Sequence, residues 1–228
     1  MELYIGNKNY SSWSLRAWLM ASKAGLQFNE VKLQLDTPSF YQALEGISPT
    51  LRVPTLVDGD ITVWDSLAIC EYINDAYMSG AAWPADTKQK AHARAMACEM
   101  HSGFMALRNE LPMNIRATRK VQLSDAALKD IARVDAIWSS QMSLRAKDAT
   151  KGTWLFGTWS IADMMFAPVV MRFKTYGIKV SALSQAYMDH VTHCPQMQAW
   201  IADALQETDI VDADEAGVDV VDASHSIR

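Results

Sequence analysis

Residues 52–66 read Arg-Val-Pro-Thr-Leu-Val-Asp-Gly-Asp-Ile-Thr-Val-Trp-Asp-Ser. This stretch predicts two short strands, a tight turn between them, and the start of a helix. Residues 53–57 and 61–64 are rich in β-branched and aromatic side chains, which favour strands. The Asp58-Gly59 pair lies between these two runs and is typical of a β-hairpin.

Two features of the same stretch indicate a binding site for a short peptide. A strand carries a proline such as Pro54 only at its first residue or at a sheet edge, and this proline is a candidate for a cis peptide bond. Val53 would then offer its backbone N–H and C=O to a ligand that lies along the strand. Asp65 and Ser66 open an apolar helical run, and a helix N-terminus with free N–H groups binds carboxylates. The stretch therefore predicts a strand for the peptide and a socket for its carboxylate.

The composition excludes several classes of function. The chain has 228 residues, half of them hydrophobic, and a formal net charge of -5. It can therefore bury a large core, and its charge gives no reason to expect nucleic acid or an acidic membrane as a partner. The three cysteines are widely separated and the five histidines share no spacing with carboxylates, so we expect no disulfide framework and no metal. No segment has the pattern of a signal peptide or a membrane span, which favours a cytoplasmic protein.

The order of elements before residue 79 predicts a small mixed sheet. A strand at 2–5 is followed by a helix that begins near Ser11 and Ser12, and a second strand follows Phe28. A short helix then precedes the hairpin, and the helix opened by Ser66 completes the unit. A crossover helix makes the first two strands parallel. Residues 1–78 are therefore predicted to form a thioredoxin-like domain, with a four-stranded mixed sheet and helices.

The remainder of the chain is predicted to be all-α. Residues 79–87 are rich in small residues and proline and are typical of a linker, and residues 88–205 have helical periodicity. Five helical segments are predicted in that part, the first as one long helix or a kinked pair interrupted at Leu111-Pro112: 88–119, 124–145, 160–176, 184–193 and 195–205. Residues 206–228 form a tail with seven carboxylates and one basic residue. Composition leaves open whether this tail is disordered or lies on the body of the protein.

The start of the third of these helices has a capping pattern. Ser160 can cap the helix, and Asp163, three residues later, can accept a hydrogen bond from the N–H of the cap residue. This pair predicts a structural role and no catalytic one.

Three motifs in this order resemble the cytosolic glutathione transferases over nearly the whole chain, to about Leu205. Val53-Pro54-Thr55-Leu56 is similar to the cis-proline strand of that family. Asp65-Ser66 at the start of its helix is similar to the acidic/Gln-Ser pair, and residues 160–163 are similar to the helix-capping motif. Residues 11–16 (Ser-Ser-Trp-Ser-Leu-Arg) resemble the serine type, in particular zeta-like and tau-like bacterial members. Two residues differ from the pattern: Trp13 replaces the zeta cysteine, and Asp65 is one methylene shorter than the usual Glu.

The resemblance implies a homodimeric transferase with glutathione as co-substrate. A serine hydroxyl would stabilise the glutathione thiolate, which then attacks a small hydrophobic electrophile, typically in detoxification. Ser11 and Ser12 are the candidate catalytic residues. Counted back from Arg16, Ser11 matches the tau-like spacing and the first serine of the zeta pattern, whereas Ser12 matches the theta-like spacing. Ser11 is favoured, with Ser12 as a second contact. The implied glutathione-binding residues are Ser11, Trp13, Arg52, Val53, Pro54, Asp65 and Ser66.

The second-substrate pocket and the activity itself are less closely determined by the sequence. The candidates for the pocket are Trp13, Met105, Arg108, Asn109 and Met113. Two other functions stay open: a non-catalytic glutathione-fold module that binds ligands or partners, and a glutathione-dependent cis–trans isomerase similar to maleylacetoacetate isomerase. The scaffold alone does not decide between these functions.

Overall fold

A computed structural model describes residues 1–146 and 152–220 of the chain. The helices and strands within these ranges follow one another in this order: β1 Glu2–Ile5, α1 Ser12–Lys23, β2 Asn29–Lys32, α2 Pro38–Leu44, β3 Thr55–Asp58, β4 Ile61–Val63, α3 Ser66–Tyr77, α4 Thr87–Ser102, α5 Met105–Glu110, β5 Arg119–Lys120, α6 Asp125–Ala146, α7 Ile161–Thr175, α8 Ala182–His193, α9 Pro195–Gln206 and β6 Val218–Asp219. A 3₁₀ turn, Asp212–Asp214, precedes β6.

The first four strands form one mixed sheet in the order β2-β1-β3-β4. β1 is parallel to β2 and antiparallel to β3, and β3 is antiparallel to β4. The predicted fold class is therefore confirmed: a thioredoxin-like sheet with helices, followed by a helical C-terminal part. β3 is an interior strand, and Pro54 lies directly before it, so no hydrogen bond of the sheet requires the missing N–H.

The hairpin turn lies one residue later than the sequence predicts. Asp58 is still part of β3 and pairs with Ile61, so the two loop residues are Gly59 and Asp60. Gly59 has a φ of +62°, a conformation that glycine adopts without steric cost. The carboxylate of Asp58 accepts hydrogen bonds from the hydroxyls of Tyr72 and Tyr77 on α3. These contacts attach the end of the hairpin to the helix that follows it.

The first helix after the predicted linker ends earlier than the sequence predicts. α4 ends at Ser102 and α5 ends at Glu110, so the interruption falls at Gly103-Phe104 and no helix continues to residue 119. A Cβ atom at Gly103 would lie 2.7 Å from the carbonyl oxygen of Glu99, and Phe104 has a φ of +59°. The chain leaves α4 at Gly103 in a conformation that has no room for a side chain, and the Leu111-Pro112 step lies beyond α5.

The predicted division of the chain at residues 79–87 stays a prediction. α3 ends at Tyr77 and α4 begins at Thr87, but the segment between them is fixed to the protein. Ala82 and Trp83 are buried, and the indole N–H of Trp83 donates to Glu71. One continuous apolar core includes side chains from before and after this segment.

α7 is the buried centre of the helical part. It packs against α1, α4 and α8, and every residue of it except Lys174 is buried. α1 also packs against α3 and α9, so the helix that carries the serine cluster is in contact with the core of both parts.

A short two-stranded sheet in the C-terminal part was not predicted. β5 pairs antiparallel with β6, which belongs to the acidic tail. The described part of that tail therefore lies on the body of the protein. Residues 221–228, which complete the predicted tail, lie outside the described residues.

At the start of α7 the predicted bond from the N–H of Ser160 to Asp163 forms, but the hydroxyl of Ser160 donates to the same carboxylate instead of accepting a backbone N–H. The N–H and the hydroxyl of Ser160 both donate to Oδ2 of Asp163, while the N–H of Leu155 and the hydroxyl of Tyr187 donate to Oδ1. Burial raises the pKa of Asp163 to about 6, and the four hydrogen bonds oppose that rise. Both oxygens of this buried carboxyl group therefore have hydrogen-bond partners.

We predict that Asp163→Asn destabilises the protein more than an ordinary cap substitution does. Each carboxylate oxygen accepts one backbone N–H, so either orientation of the amide places its NH₂ group against a backbone donor. The expected loss is about 1–3 kcal/mol in the free energy of unfolding, measured by urea denaturation at pH 7. Asp86→Asn is the matched control, because the exposed Asp86 accepts only the N–H of Gln89 and Asn caps a helix equally well. Equal stability of Asp163→Asn and the unsubstituted protein would contradict this account.

Candidate functional site

Two adjoining cavities lie where the sheet meets the helical part. The smaller has a volume of about 420 Å³ and lies against residues 50–54 and the start of α3. The larger has a volume of about 770 Å³ and lies against the serine cluster and α5. Both cavities share five wall residues: Trp13, Thr50, Arg52, Val53 and His101. A ligand of the smaller cavity therefore has direct access to a second molecule in the larger one.

The backbone on one side of the smaller cavity is held by side-chain hydrogen bonds. The hydroxyls of Ser48 and Thr55 both donate to the carbonyl oxygen of Arg52, at 3.2 Å and 2.9 Å. The peptide bond between Val53 and Pro54 is cis. Within the described residues, neither the N–H nor the C=O of Val53 forms a hydrogen bond. A fixed backbone donor and acceptor therefore stand unpaired beside the cavity.

The start of α3 forms the other side of the smaller cavity. Oδ1 of Asp65 accepts the N–H groups of Leu67 and Ala68, so two of the free N–H groups expected from the sequence are already paired. Ser66 retains its capacity for a ligand, because its Oγ is buried and has no partner among the described residues. Fewer polar groups are therefore free for a ligand at this helix start than the sequence suggests, and the Ser66 hydroxyl is the main one.

His101 connects α4 to this helix start, a role that its sequence position does not indicate. Its Nε2 lies 2.9 Å from Oδ2 of Asp65, and its ring packs edge-on against Trp13 at 5.5 Å between ring centres. The sequence predicts no functional role for this residue. The structure places it in the wall between the two cavities.

Ser11 and Ser12 are both buried in the wall of the larger cavity, but their hydrogen bonds differ. Ser11 is the N-cap of α1, and its hydroxyl donates to Oγ of Ser14 at 2.7 Å. Ser14 also accepts the N–H of Gly6. Oγ of Ser12 instead accepts a hydrogen bond from Nη2 of Arg172 at 3.0 Å. One serine thus belongs to a helix cap, and the other contacts a buried cation.

Three arginines surround this region. The guanidinium groups of Arg16 and Arg108 lie 4.3 Å and 4.8 Å from the ring centre of Trp13. Burial lowers the pKa of Arg16 well below its usual value, and the neighbouring Arg108 and Arg172 lower it further. Burial, followed by the charge of Arg108, lowers the pKa of Arg172 to about 10. A guanidinium group keeps its proton in proteins, so the three side chains are cations and the region favours an anion.

The described part of the acidic tail closes the far side of the larger cavity. Glu207 is buried, and its two carboxylate oxygens accept the backbone N–H groups of Lys8 and Asn9 at 2.8 Å and 3.0 Å. The hydroxyl of Tyr10 donates to Glu215. Asp214 lies in the cavity wall, and burial raises its pKa to about 6. The tail therefore supports the loop that immediately precedes the serines.

The structure brings most of the sequence-predicted site residues to these cavities. Met105, Arg108 and Asn109 line the larger cavity, whereas Met113 is fully buried and lies on neither wall. Met113 follows Pro112 in the irregular segment after α5 and packs into the core. Sequence reasoning did not identify a further set of wall residues: Tyr10, Leu35, Asp36, Phe40, Tyr41, Thr50, Leu51, Trp64, His101, Arg172 and Asp214.

Across residues 1–146 and 152–220, no cluster of three or more His, Cys, Asp or Glu side chains could hold a metal ion. Over the same ranges, no helix has the length and apolar character needed to span a membrane.

This chain is similar in sequence and in fold to known glutathione transferases and their relatives. Residues 10–76 match the family described as the glutathione S-transferase N-terminal domain. A probable maleylacetoacetate isomerase of Caenorhabditis elegans is 24% identical over 181 residues, which cover 78% of this chain and 81% of the relative. Glutathione S-transferase omega-2 of Mus musculus is 24% identical over 208 residues, covering 89% and 75%. A solved glutathione transferase homologue from Burkholderia GL BGR1, with bound glutathione, superposes with a TM-score of 0.65 and 26% identity over 89% of this chain and 96% of that one.

We predict that Glu207→Gln loosens the loop before the serines. Lys8 and Asn9 each donate a backbone N–H to a different oxygen of Glu207, so a glutamine side chain must turn its NH₂ group toward one of these donors. The expected cost is about 1–3 kcal/mol, with faster hydrogen exchange at the amides of Lys8 and Asn9 measured by NMR. The exposed Glu45, which forms no side-chain hydrogen bond within the described residues, provides the control Glu45→Gln. Unchanged exchange at both amides in Glu207→Gln would show that the tail does not support this loop.

Proposed function

We propose that this chain, which belongs to the glutathione transferase family, binds glutathione in the smaller cavity and forms its thiolate beside the serines at the start of α1. One observation carries the proposal. The unpaired backbone of Val53 and the unpaired, buried hydroxyl of Ser66 face the same cavity, and that cavity opens onto Ser11 and Ser12. Buried polar groups without partners are costly, which favours a ligand that completes their hydrogen bonds.

The tripeptide fits the polar groups of the smaller cavity. Its cysteinyl unit pairs with the N–H and C=O of Val53, as an added strand would. Its glutamyl carboxylate accepts hydrogen bonds from the N–H and hydroxyl of Ser66, where the positive end of the α3 dipole adds to the attraction. The glutamyl ammonium group meets the carboxylate of Asp65, and Arg52 is placed to meet the glycyl carboxylate. Trp13 covers the boundary between the two cavities.

The residues around the sulfur are sufficient to form a thiolate near pH 7. A free thiol has a pKa of about 8.5, and lowering it by about two units needs about 2.7 kcal/mol of preferential anion stabilisation. A hydroxyl that donates to the sulfur supplies about 1.5–3 kcal/mol, and the N-terminus of α1 adds about 0.3–1 kcal/mol. No general base is therefore needed beside the serines. The serine acts as an anion stabiliser and forms no covalent bond.

The second substrate is a small electrophile in the larger cavity. Aromatic side chains and Met105 give that cavity apolar surface, since its wall includes Tyr10, Trp13, Phe40 and Tyr41. The thiolate attacks the electrophilic carbon, a carbon–sulfur bond forms, and a leaving group departs with its electron pair. Where the electrophile is an activated double bond, the resulting carbanion takes a proton from water instead.

A glutathione-dependent cis–trans isomerase is the second candidate function. The observation that favours it is the likeness to the probable maleylacetoacetate isomerase of Caenorhabditis elegans, together with the paired serines. In that reaction the thiolate adds to a conjugated double bond, the new single bond rotates, and the thiolate leaves again. Glutathione is then not consumed, which distinguishes the isomerase from a conjugating enzyme. A module that only binds glutathione would show neither reaction.

We further propose that the protein is a homodimer that acts in the cytoplasm. Three large apolar side chains near the hairpin and α3 are about half exposed: Ile61, Trp64 and Tyr77. A second copy of the chain would cover this apolar surface. The three cysteines are free, which suits a reducing compartment.

The binding proposal is tested by Ser66→Ala and calorimetry with glutathione. The hydroxyl of Ser66 has no partner within the described residues, so its removal should leave the free energy of unfolding unchanged. Loss of a hydrogen bond to a carboxylate costs about 1.5–3 kcal/mol, which predicts a Kd that is about 10- to 100-fold higher. Ser140→Ala, on the exposed face of α6, is the matched control. If the unsubstituted protein produces no binding heat with glutathione, the proposal fails.

The proposed reaction is tested by following glutathione and product over a panel of electrophiles. The double variant Ser11→Ala/Ser12→Ala should lower kcat about 10- to 100-fold with a smaller change in glutathione affinity, because both hydroxyls near the sulfur are removed. Product without loss of glutathione would favour the isomerase. Full turnover in the double variant would refute the serine mechanism, and glutathione binding without any product would favour the binding module.

A further inference from the structure

The hydrogen bond between Arg172 and Ser12 determines where the Ser12 hydroxyl can donate. A guanidinium group has only donors, so Oγ of Ser12 is necessarily the acceptor in this contact. The hydroxyl proton of Ser12 must therefore point away from Arg172. Ser12 is 5% exposed and lies in the wall of the larger cavity beside Trp13. No acceptor for this proton lies among the described residues.

The hydroxyl of Ser11, in contrast, already donates its proton within the protein. Its hydroxyl proton is donated to Oγ of Ser14, which is fully buried behind it and also accepts the N–H of Gly6. The N–H of Ser14 approaches Oγ of Ser11 at 3.4 Å, as expected of an N-cap residue. Donation from Ser11 to a ligand would break its bond with Ser14. The hydroxyl of Ser12 can donate to a ligand without such a loss.

Arg172 is held in place from the opposite side. Its Nη1 donates to the carbonyl oxygens of Arg108, at 3.1 Å, and of Leu111, and its side chain leaves α7 among buried residues. The contact with Ser12 spans 160 residues of sequence, so neither local pattern indicates it. The guanidinium group is thus fixed between the loop after α5 and the first turn of α1.

The charged and titratable groups around Arg172 leave this region positive. Arg108 of α5 and Arg16 of α1 are cations, and Asp214 of the tail faces them with one carboxylate. Tyr176, which directly follows α7, is neutral at pH 7 because burial raises its pKa to about 12. A sulfur anion beside Ser12 would therefore face three guanidinium groups and one carboxylate that titrates near neutrality.

We propose that Ser12 is the catalytic hydroxyl that donates to the glutathione sulfur, and that Arg172 is the positioning residue that directs it. The proposal rests on the function proposed above and reverses the preference for Ser11 that spacing to Arg16 suggests. In the step itself, the S–H bond of glutathione breaks and its proton passes to water. The sulfur retains the electron pair and accepts the hydrogen bond from Ser12, whose own O–H bond stays intact. Arg172 contacts Ser12 and not the sulfur.

The test is a pH titration of glutathione bound to the full-length protein, followed by the ultraviolet absorbance of the thiolate. Calorimetry first establishes the glutathione concentration that saturates each variant. Ser12→Ala should raise the pKa of the bound thiol by about one unit or more, which corresponds to losing the hydrogen bond to the anion. Ser11→Ala should leave that pKa nearly unchanged. The two variants differ by one position on the same helix turn, so each controls for the other.

Arg172→Met should raise the same pKa, and in the double variant with Ser12→Ala the two effects should not add, because Arg172 acts through Ser12. Lys174→Met removes an exposed cation from the same helix and is the matched control, with no expected change. A purely structural role of Arg172 would lower stability without moving the thiol pKa. If Arg172→Met does not fold, the comparison of Ser12→Ala with Ser11→Ala decides the assignment of the catalytic hydroxyl.

A raised pKa in Ser11→Ala but not in Ser12→Ala would overturn the assignment, as would equal effects or none in both. An unchanged pKa in a folded Arg172→Met would overturn the role of Arg172. Failure of the proposed function would give a different result: the unsubstituted protein would not bind glutathione in the calorimetry that precedes the titration.

Discussion

A charged group that leaves water must find its hydrogen bonds inside the protein, and helix α7 buries two such groups. Asp163 at its start accepts four hydrogen bonds, two of them from backbone N–H groups. Arg172 near its end donates to two carbonyl oxygens and to Ser12. The first group closes the helix start, and the second joins the helical part to the serine cluster. The contact between Arg172 and Ser12 ties the site to the buried helix at the centre of the core.

In contrast to the buried charges of α7, several polar groups around the cavities have no hydrogen-bond partner. Around them, backbone and side-chain groups are held rigidly but lack partners among the described residues, as Val53 and Ser66 do. Their neighbours hold the site in place: Asp65 caps α3 and contacts His101, while Ser48 and Thr55 fix the carbonyl of Arg52. A preorganised site of this kind favours a ligand that supplies the missing partners, because binding then costs little conformational entropy.

The sequence predicts those parts of the fold that local chemistry determines. The hairpin, the start of α3 and the capping pair of α7 involve residues within a few positions of one another, and all three form. The turn is displaced by one residue because Asp58 extends β3, where two tyrosine hydroxyls of α3 bind its carboxylate. The interruption after α4 falls at Gly103, where the backbone leaves the helix in a conformation that only a residue without a side chain fits.

The parts that sequence reasoning missed are contacts between distant segments. In the sequence, Arg172 is an ordinary basic residue near the end of a helix. Its contact with Ser12 forms only because α7 packs against α1. Acidic residues are equally compatible with an exposed, solvated tail and with a tail bound to the protein, so composition alone does not predict that Glu207 binds the loop before the serines. The same limit applies to choosing between Ser11 and Ser12. Spacing favours Ser11, whereas the hydrogen bonds, which depend on tertiary packing, favour Ser12.

The most direct measurement of the central claim is a crystal structure of the protein with bound glutathione. The account predicts that the sulfur lies within hydrogen-bonding distance of Oγ of Ser12, with the cysteinyl unit paired to Val53 and the glutamyl carboxylate on Ser66. A tripeptide bound outside the smaller cavity, or one whose sulfur points away from the start of α1, would contradict it.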